Sequence, residues 1–145
     1  MSFLDSFNIS ASGLSAERLR INVISSNIAN INTTRTPEGG PYKRKDVVFE
    51  AVPFKEKSFD ETLNDTVNLK KVEVAKIVED KRPPIMKYDP GHPDANKDGY
   101  VAYPNINIME EMVNLINASR SYEAGVTTLK ASKDMAMKAI DIIRT

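Results

Sequence analysis

All eight prolines of this 145-residue chain fall between positions 37 and 104. Proline removes a backbone donor and its ring collides with the preceding turn, so it breaks helix interiors more strongly than any other residue. The chain therefore reads as three parts: residues 1–34 and 105–145 as long helices, and residues 35–104 as strands and loops. Glu38-Gly39-Gly40-Pro41 and Asp89-Pro90-Gly91 punctuate the middle as turns. With 41% hydrophobic and 28% charged residues, the chain has the composition of a folding domain and not of a disordered one.

Steps of four and three from Ile108 pass through Met112, Leu115, Ser119, Tyr122, Val126, Leu129, Lys133, Ala136, Ile140 and Ile143. Only Ser119 and Lys133 interrupt an apolar seam, and a seven-residue period held this long predicts a coiled-coil stripe. Asn107, with Glu110 three residues later, supplies a start signal for the helix. At the other end Phe7, Leu14, Ile21 and Ile28 are spaced by seven, with Ile24 and Ile31 beside them. The expected fold is mainly α: two terminal helices pair as one discontinuous antiparallel coiled coil, around a small β-rich, proline-containing insertion.

In the insertion, Val47 to Val52 alternates as a short strand does, and Lys71 to Glu79 is a second candidate whose alternation slips near Ala75, as at a bulge. The polar, aperiodic Lys55–Asn68 stretch between them reads as a mobile loop or hairpin tip. Twenty basic residues balance twenty acidic ones, which removes the positive field that nucleic-acid and anionic-membrane binders use. The absence of cysteine excludes disulfides and thiolate sites. The opening MSFLDSFNIS has neither a basic region nor an unbroken apolar run, so export, if it occurs, is expected to proceed without a cleaved signal.

Three stretches invite a chemical reading. Asp94 to Gly99, DANKDG, matches the start of a calcium loop, but the twelfth position is Asn105 where a glutamate should close the shell, and no helix precedes it. The same residues make a tight turn. His92, the single histidine, stands between prolines with no nucleophile or partner carboxylate placed against it, so a turn role is favoured over a general base. Lys43-Arg44-Lys45 lacks interleaved aromatics and reads as a solvated strand edge. No catalytic residue, cofactor, metal or small-molecule substrate is assigned.

Residues 25 to 33, SSNIANINT, carry Asn27 and Asn30 on a strip adjoining Ile24, Ile28 and Ile31. Asparagine is a poor helix former, so either these amides border the seam and fix its register, or they cap a fraying helix end. Burying the apolar seam of the C-terminal helix recovers less free energy than ordering its backbone costs, and the N-terminal helix only narrows the gap, so the two ends are expected to be loose in the isolated chain and to become ordered when several copies or related subunits pack together.

ISASGLSAERLRINVISSNIANINT, EGGPYKRKDVVFEAV and YDPGHPDANKDGYVAYPNINIMEEMVNLINASRSYEA together resemble the bacterial flagellar axial proteins, the family of rod and hook subunits. The resemblance covers both ends and most of the middle, but not residues 55–72. It implies a structural subunit of the proximal rod in the basal body, lying within the periplasm and transmitting torque, with export that leaves the N-terminus uncleaved. The implied partners are further copies of the chain, other rod proteins, and the inner-membrane ring and export-gate region. The implied assembly surface comprises Leu14, Ile21, Ile24, Asn27, Ile28 and Asn30 on the first helix, and Met112, Leu115, Tyr122, Val126, Leu129, Ala136 and Ile140 on the second. A calcium-binding module, a hydrolase using His92 and a generic coiled-coil adaptor are the competing readings.

Overall fold

The computed structural model describes residues 3–54 and 69–144, so the expected loop from Lys55 to Asn68 lies outside the described residues. Helix α1 spans Phe3–Ala29, strands β1 and β2 span Lys45–Pro53 and Lys70–Glu79, β3 and β4 span Ile85–Tyr88 and Tyr100–Tyr103, and helix α2 spans Ile108–Arg144.

Each helix has a local reason to begin or end. Asn30 stops α1: its Nδ2 donates to the Ser26 carbonyl at 2.8 Å and its Oδ1 accepts from Thr33 Oγ1 at 3.1 Å. Past that point the Ile31 and Thr33 N–H groups donate to carbonyls only three residues back, Ile28 at 3.4 Å and Asn30 at 3.1 Å, so the α-helical ladder has ended and Ile31 falls beyond the helix. The Asn107 half of the start signal on α2 is used, with Asn107 Oδ1 accepting from the Met109 backbone N–H at 3.0 Å.

β1 and β2 pair antiparallel, with Val48 opposite Lys76 but Phe49 opposite Val74, so Ala75 is the extra residue of a β-bulge. This is where the sequence alternation slips. β3 and β4 form a second antiparallel pair, from Ile85–Tyr103 to Tyr88–Tyr100, that the alternation did not reveal because each strand has only four residues. DANKDG sits in their connection. Asn96 Oδ1 accepts from the backbone N–H groups of Asp98 and Tyr100, both at 2.9 Å, and Asp94 Oδ2 accepts from Thr34 Oγ1 at 2.8 Å. Gly99 closes the turn at φ +80°, in the region open mainly to glycine.

The two helices run antiparallel, since Asn27 bonds Glu111 while Leu14 lies against Gly125. α1 also packs on the β1–β2 hairpin, where Ser12 Oγ accepts from the Val72 N–H at 3.1 Å. The first helix is thus shared between α2 and the sheet. Among the described residues the buried apolar core is small: Ala16, Val23, Ile24, Val101, Ile106 and Ala118.

Candidate assembly surface and the buried cluster behind it

At the inner end of the helix pair, one amide ties three elements together. Asn27 is fully buried, and all its hydrogen-bonding positions are used. Its Nδ2 donates to the Lys45 carbonyl at 2.8 Å and to Glu111 Oε2 at 2.9 Å, while its Oδ1 accepts from the Lys45 N–H at 2.9 Å and from Tyr42 OH at 3.1 Å. An asparagine bonded to both backbone groups of Lys45 reproduces one rung of a sheet ladder, so the end of α1 fixes where β1 begins.

Glu111 enters the same cluster from the first turns of α2 and is 1% exposed. A buried carboxylate must be paired, and Arg44 Nε donates to Glu111 Oε1 at 2.7 Å. Burial is the largest single influence on the Arg44 guanidinium and lowers its pKa. The hydrogen bonds and charges of Glu111 and Asp46 together outweigh it, leaving the pKa raised and the group charged. The Arg44 side chain is only 13% exposed, while Asp46 accepts a further bond at 3.1 Å near the surface.

The two asparagines of SSNIAN have therefore separated: Asn27 takes the register-fixing role, inside the subunit, and Asn30 takes the capping role. Arg44 corrects the solvated-edge reading of Lys43-Arg44-Lys45. Lys43 does reach an exposed partner, Glu79, at 3.5 Å, but Arg44 turns inward and Lys45 supplies the backbone that Asn27 grips. Neither Arg44 nor Glu111 was legible as a buried residue, because a charge is buried for its partner and hydropathy does not register partners.

The seam between the helices is also displaced from its expected course. The residues that α2 turns inward are Glu111, Leu115, Ala118, Tyr122, Gly125, Leu129, Ser132 and Ala136, with Asn114 and Ser119 at its border. Their steps of four and three keep the expected period. Leu115, Tyr122, Leu129 and Ala136 lie on it as expected, but its other row stands one residue earlier than Met112, Ser119, Val126 and Lys133. The physical reason is close approach: a Cβ on Gly125 would stand 2.8 Å from Leu14 Cδ2, and the other residues of this row beyond Glu111, Ala118 and Ser132, are small as well. On α1, Ile24 and Asn27 are buried and Leu14, Ile21, Ile28 and Asn30 are half-buried. Ala16 and Val23, which the heptad reading left out, are buried as well.

Met112, Val126 and Ile140 consequently flank the seam without closing it, 48%, 41% and 62% exposed. They do not stand alone. Ile108, Met109, Val113 and Ile116 surround the first turns of α2 with exposed apolar side chains, and Met135, Met137 and Ile142 do the same near its end. Counting eleven residues back along α1 from Leu14 and eleven forward along α2 from Gly125 brings Phe3 opposite Ala136. Met137, Ile140 and Ile142 thus extend past Phe3, the first described residue of α1.

The turn residues are occupied in structural work. His92 Nδ1 accepts from the Asp94 N–H at 3.1 Å, and its ring meets Tyr103 edge-on at 6.4 Å. Among the described residues, no group of three metal-ligating side chains is gathered that could hold an ion, and no helix is long and apolar enough to cross a membrane.

Comparison with known proteins places matches on both helical ends. Residues 7–35 match the family model described as flagella basal body rod protein, and residues 97–142 match that of the flagellar basal body rod FlgEFG protein C-terminal. The chain is 45% identical to the flagellar basal-body rod protein FlgC of Borreliella burgdorferi over 99% of both chains. It is 44% identical to the FlgC of Bacillus subtilis, over 98% of this chain and 99% of the relative, and 37% identical to that of Salmonella typhimurium over 98% of each. The buried cluster spans one matched segment, through Asn27, the other, through Glu111, and the residues that lead into β1 between them, through Arg44.

Proposed function

We infer how this protein works from the premise that the chain belongs to the family of flagellar basal-body rod proteins, as near-full-length identity of 37% to 45% with its members shows. It is a structural subunit of the basal-body rod and not an enzyme. The observation that carries the mechanism is the mismatch on α2 between a modest inward seam and the large apolar surface left outward. A protein that works alone rarely leaves so many methionines and isoleucines on one helix in water. A subunit does, because the same residues become core when neighbours pack on them.

In this reading residues 1–34 and 105–145 form one discontinuous coiled-coil domain, and residues 35–104 are an insertion projecting from it. The seven-residue spacing of the inward row on α2 supports that pairing. The assembly surface is the outward face: Met112, Val126 and Ile140 at its centre, flanked by Ile108, Met109, Val113, Ile116, Met135, Met137 and Ile142. Leu14, Ile21, Ile24, Ile28, Leu115, Tyr122, Leu129 and Ala136 hold the helices together beneath it. Asn27 and Asn30 hold the end of α1 at a fixed angle to the strands, so that load applied to the insertion reaches the helices without slip.

The finer placement belongs to the same proposal. The subunit stands in the proximal rod within the periplasm, reaches it by export without a cleaved leader, and packs against further copies of itself and other rod proteins, close to the inner-membrane ring and the export gate. The balanced charge of each helical end supports selection of these contacts by packing more than by electrostatic steering.

Replacing Met112, Val126 and Ile140 together by serine tests the reading. Because all three are exposed in the subunit, urea unfolding of the isolated variant is expected to stay within about 1 kcal/mol of the parent. Cells that carry only this variant are expected to lack completed rods and to be non-motile. Normal swimming would overturn the proposed surface.

A further inference from the structure

A groove of about 540 Å³ opens where α1, α2 and the β1–β2 pair meet, lined by none of the residues of the buried cluster. Its walls include Leu14, Phe49 and Val72, and Gly13, Glu17 and Gly125 also line it. Two features of this groove have no explanation among the described residues.

The first is Glu17. Its Oε2 is buried without a hydrogen-bond partner, and its Oε1 reaches Arg20 only at 4.0 Å, the outer limit of an ion pair. A carboxylate oxygen taken from water and given no donor is destabilising, and native structures seldom keep one without a use. The second is Gly13, eleven residues into a 27-residue helix. Glycine there weakens the helix relative to alanine. Close packing within the chain would account for it, as it does for Gly125, but a Cβ on Gly13 would meet no atom within 4 Å. The missing side chain leaves open space in the groove, next to a carboxylate that lacks a donor.

We propose that this groove is a socket for a basic side chain, arginine by preference, presented by a neighbouring rod subunit; the proposal rests on the reading of the chain as a rod subunit. The chemistry is complementary at each level. A guanidinium supplies parallel N–H donors that match the geometry of a carboxylate, and the carboxylate can rotate to present both oxygens. The methylene stem of the incoming residue packs on Leu14, Phe49 and Val72 while its charge stays at Glu17. Glu50 at the rim adds a second negative charge to the approach. Gly13 leaves the clearance through which the stem enters.

Glu17→Gln and Gly13→Ala, made singly in the full-length protein, test the socket, because each removes something that costs the isolated subunit stability. Both purified variants are expected to keep the parent melting temperature or exceed it by a few degrees. In cells, both are expected to lower the number of completed rods about tenfold, the order of one charge-assisted bond. Glu17→Lys is expected to abolish rods and to be suppressed by acidic replacements of a lysine or arginine in a rod subunit. Wild-type rod numbers with either single variant would overturn the socket, as would a fall in melting temperature that accounts for the assembly loss, since Glu17 or Gly13 would then serve the subunit's own fold. A deletion strain separates this failure from failure of the parent reading: rods that persist without the protein refute its role in the rod, whereas rods that need the protein but not Glu17 and Gly13 refute the socket alone.

Discussion

Arg44→Ala is expected to lower the unfolding free energy of the isolated subunit by about 3 to 5 kcal/mol, seen as a shift of the urea midpoint at unchanged slope. The size follows from what remains behind. Glu111 stays 1% exposed in its place on α2, now without the guanidinium that donates at 2.7 Å, and a single amide donor from Asn27 cannot compensate a buried carboxylate. Folding must then either bury an uncompensated charge or protonate it. The double replacement Arg44→Met with Glu111→Leu is expected to recover most of the loss, because exchanging a buried pair for apolar groups of similar volume avoids both desolvation costs. A loss below about 1 kcal/mol for Arg44→Ala would show that water reaches Glu111 and that the cluster does not hold the three elements together.

The second large effect is steric. Gly125→Leu is expected to cost about 1 to 3 kcal/mol, because even its Cβ would stand 2.8 Å from Leu14 Cδ2 and the longer side chain must force the helices apart. One residue along, Val126→Leu is expected to stay within about 0.5 kcal/mol, since Val126 is 41% exposed. Thermal unfolding of the two variants side by side separates the two courses of the seam. Had the bulky residues Met112, Val126 and Ile140 formed the inward row, the order of the two effects would be reversed.

The contrast shows what the amino-acid sequence discloses and where it stops. Proline placement fixed both helical ends, and the slip at Ala75 marked the bulge in β2, because each is a local effect of backbone chemistry. The period of seven on α2 was legible too, and so was the row through Leu115, Tyr122, Leu129 and Ala136, but the other row was placed one residue late. Apolarity nominated Met112 and Val126, whereas close packing selected Ala118 and Gly125, and in the proposed reading the exposed apolar row is bulky because it packs against other molecules. A single sequence does not distinguish residues that are apolar for their own core from residues that are apolar for a neighbour's. Glu111 and Arg44 escaped for a related reason, since each is buried only by virtue of the other, 67 positions away. The β3–β4 pair was missed because four-residue strands are too short for alternation to register, although the turn between them, DANKDG, was plain.

The central claim is that the outward face of α2 stays open in the single subunit and closes only in the rod. Amide hydrogen exchange of the isolated protein in dilute solution, compared with the same protein in purified basal bodies, tests it most directly. In the dilute subunit, protection is expected around residues 111–122, where the buried cluster and the seam hold, and little of it over residues 137–144, which extend past Phe3. Both segments are expected to be protected in the rod. Equal, high protection of the two segments in the dilute subunit, or no gain over residues 137–144 in the rod, would contradict the account.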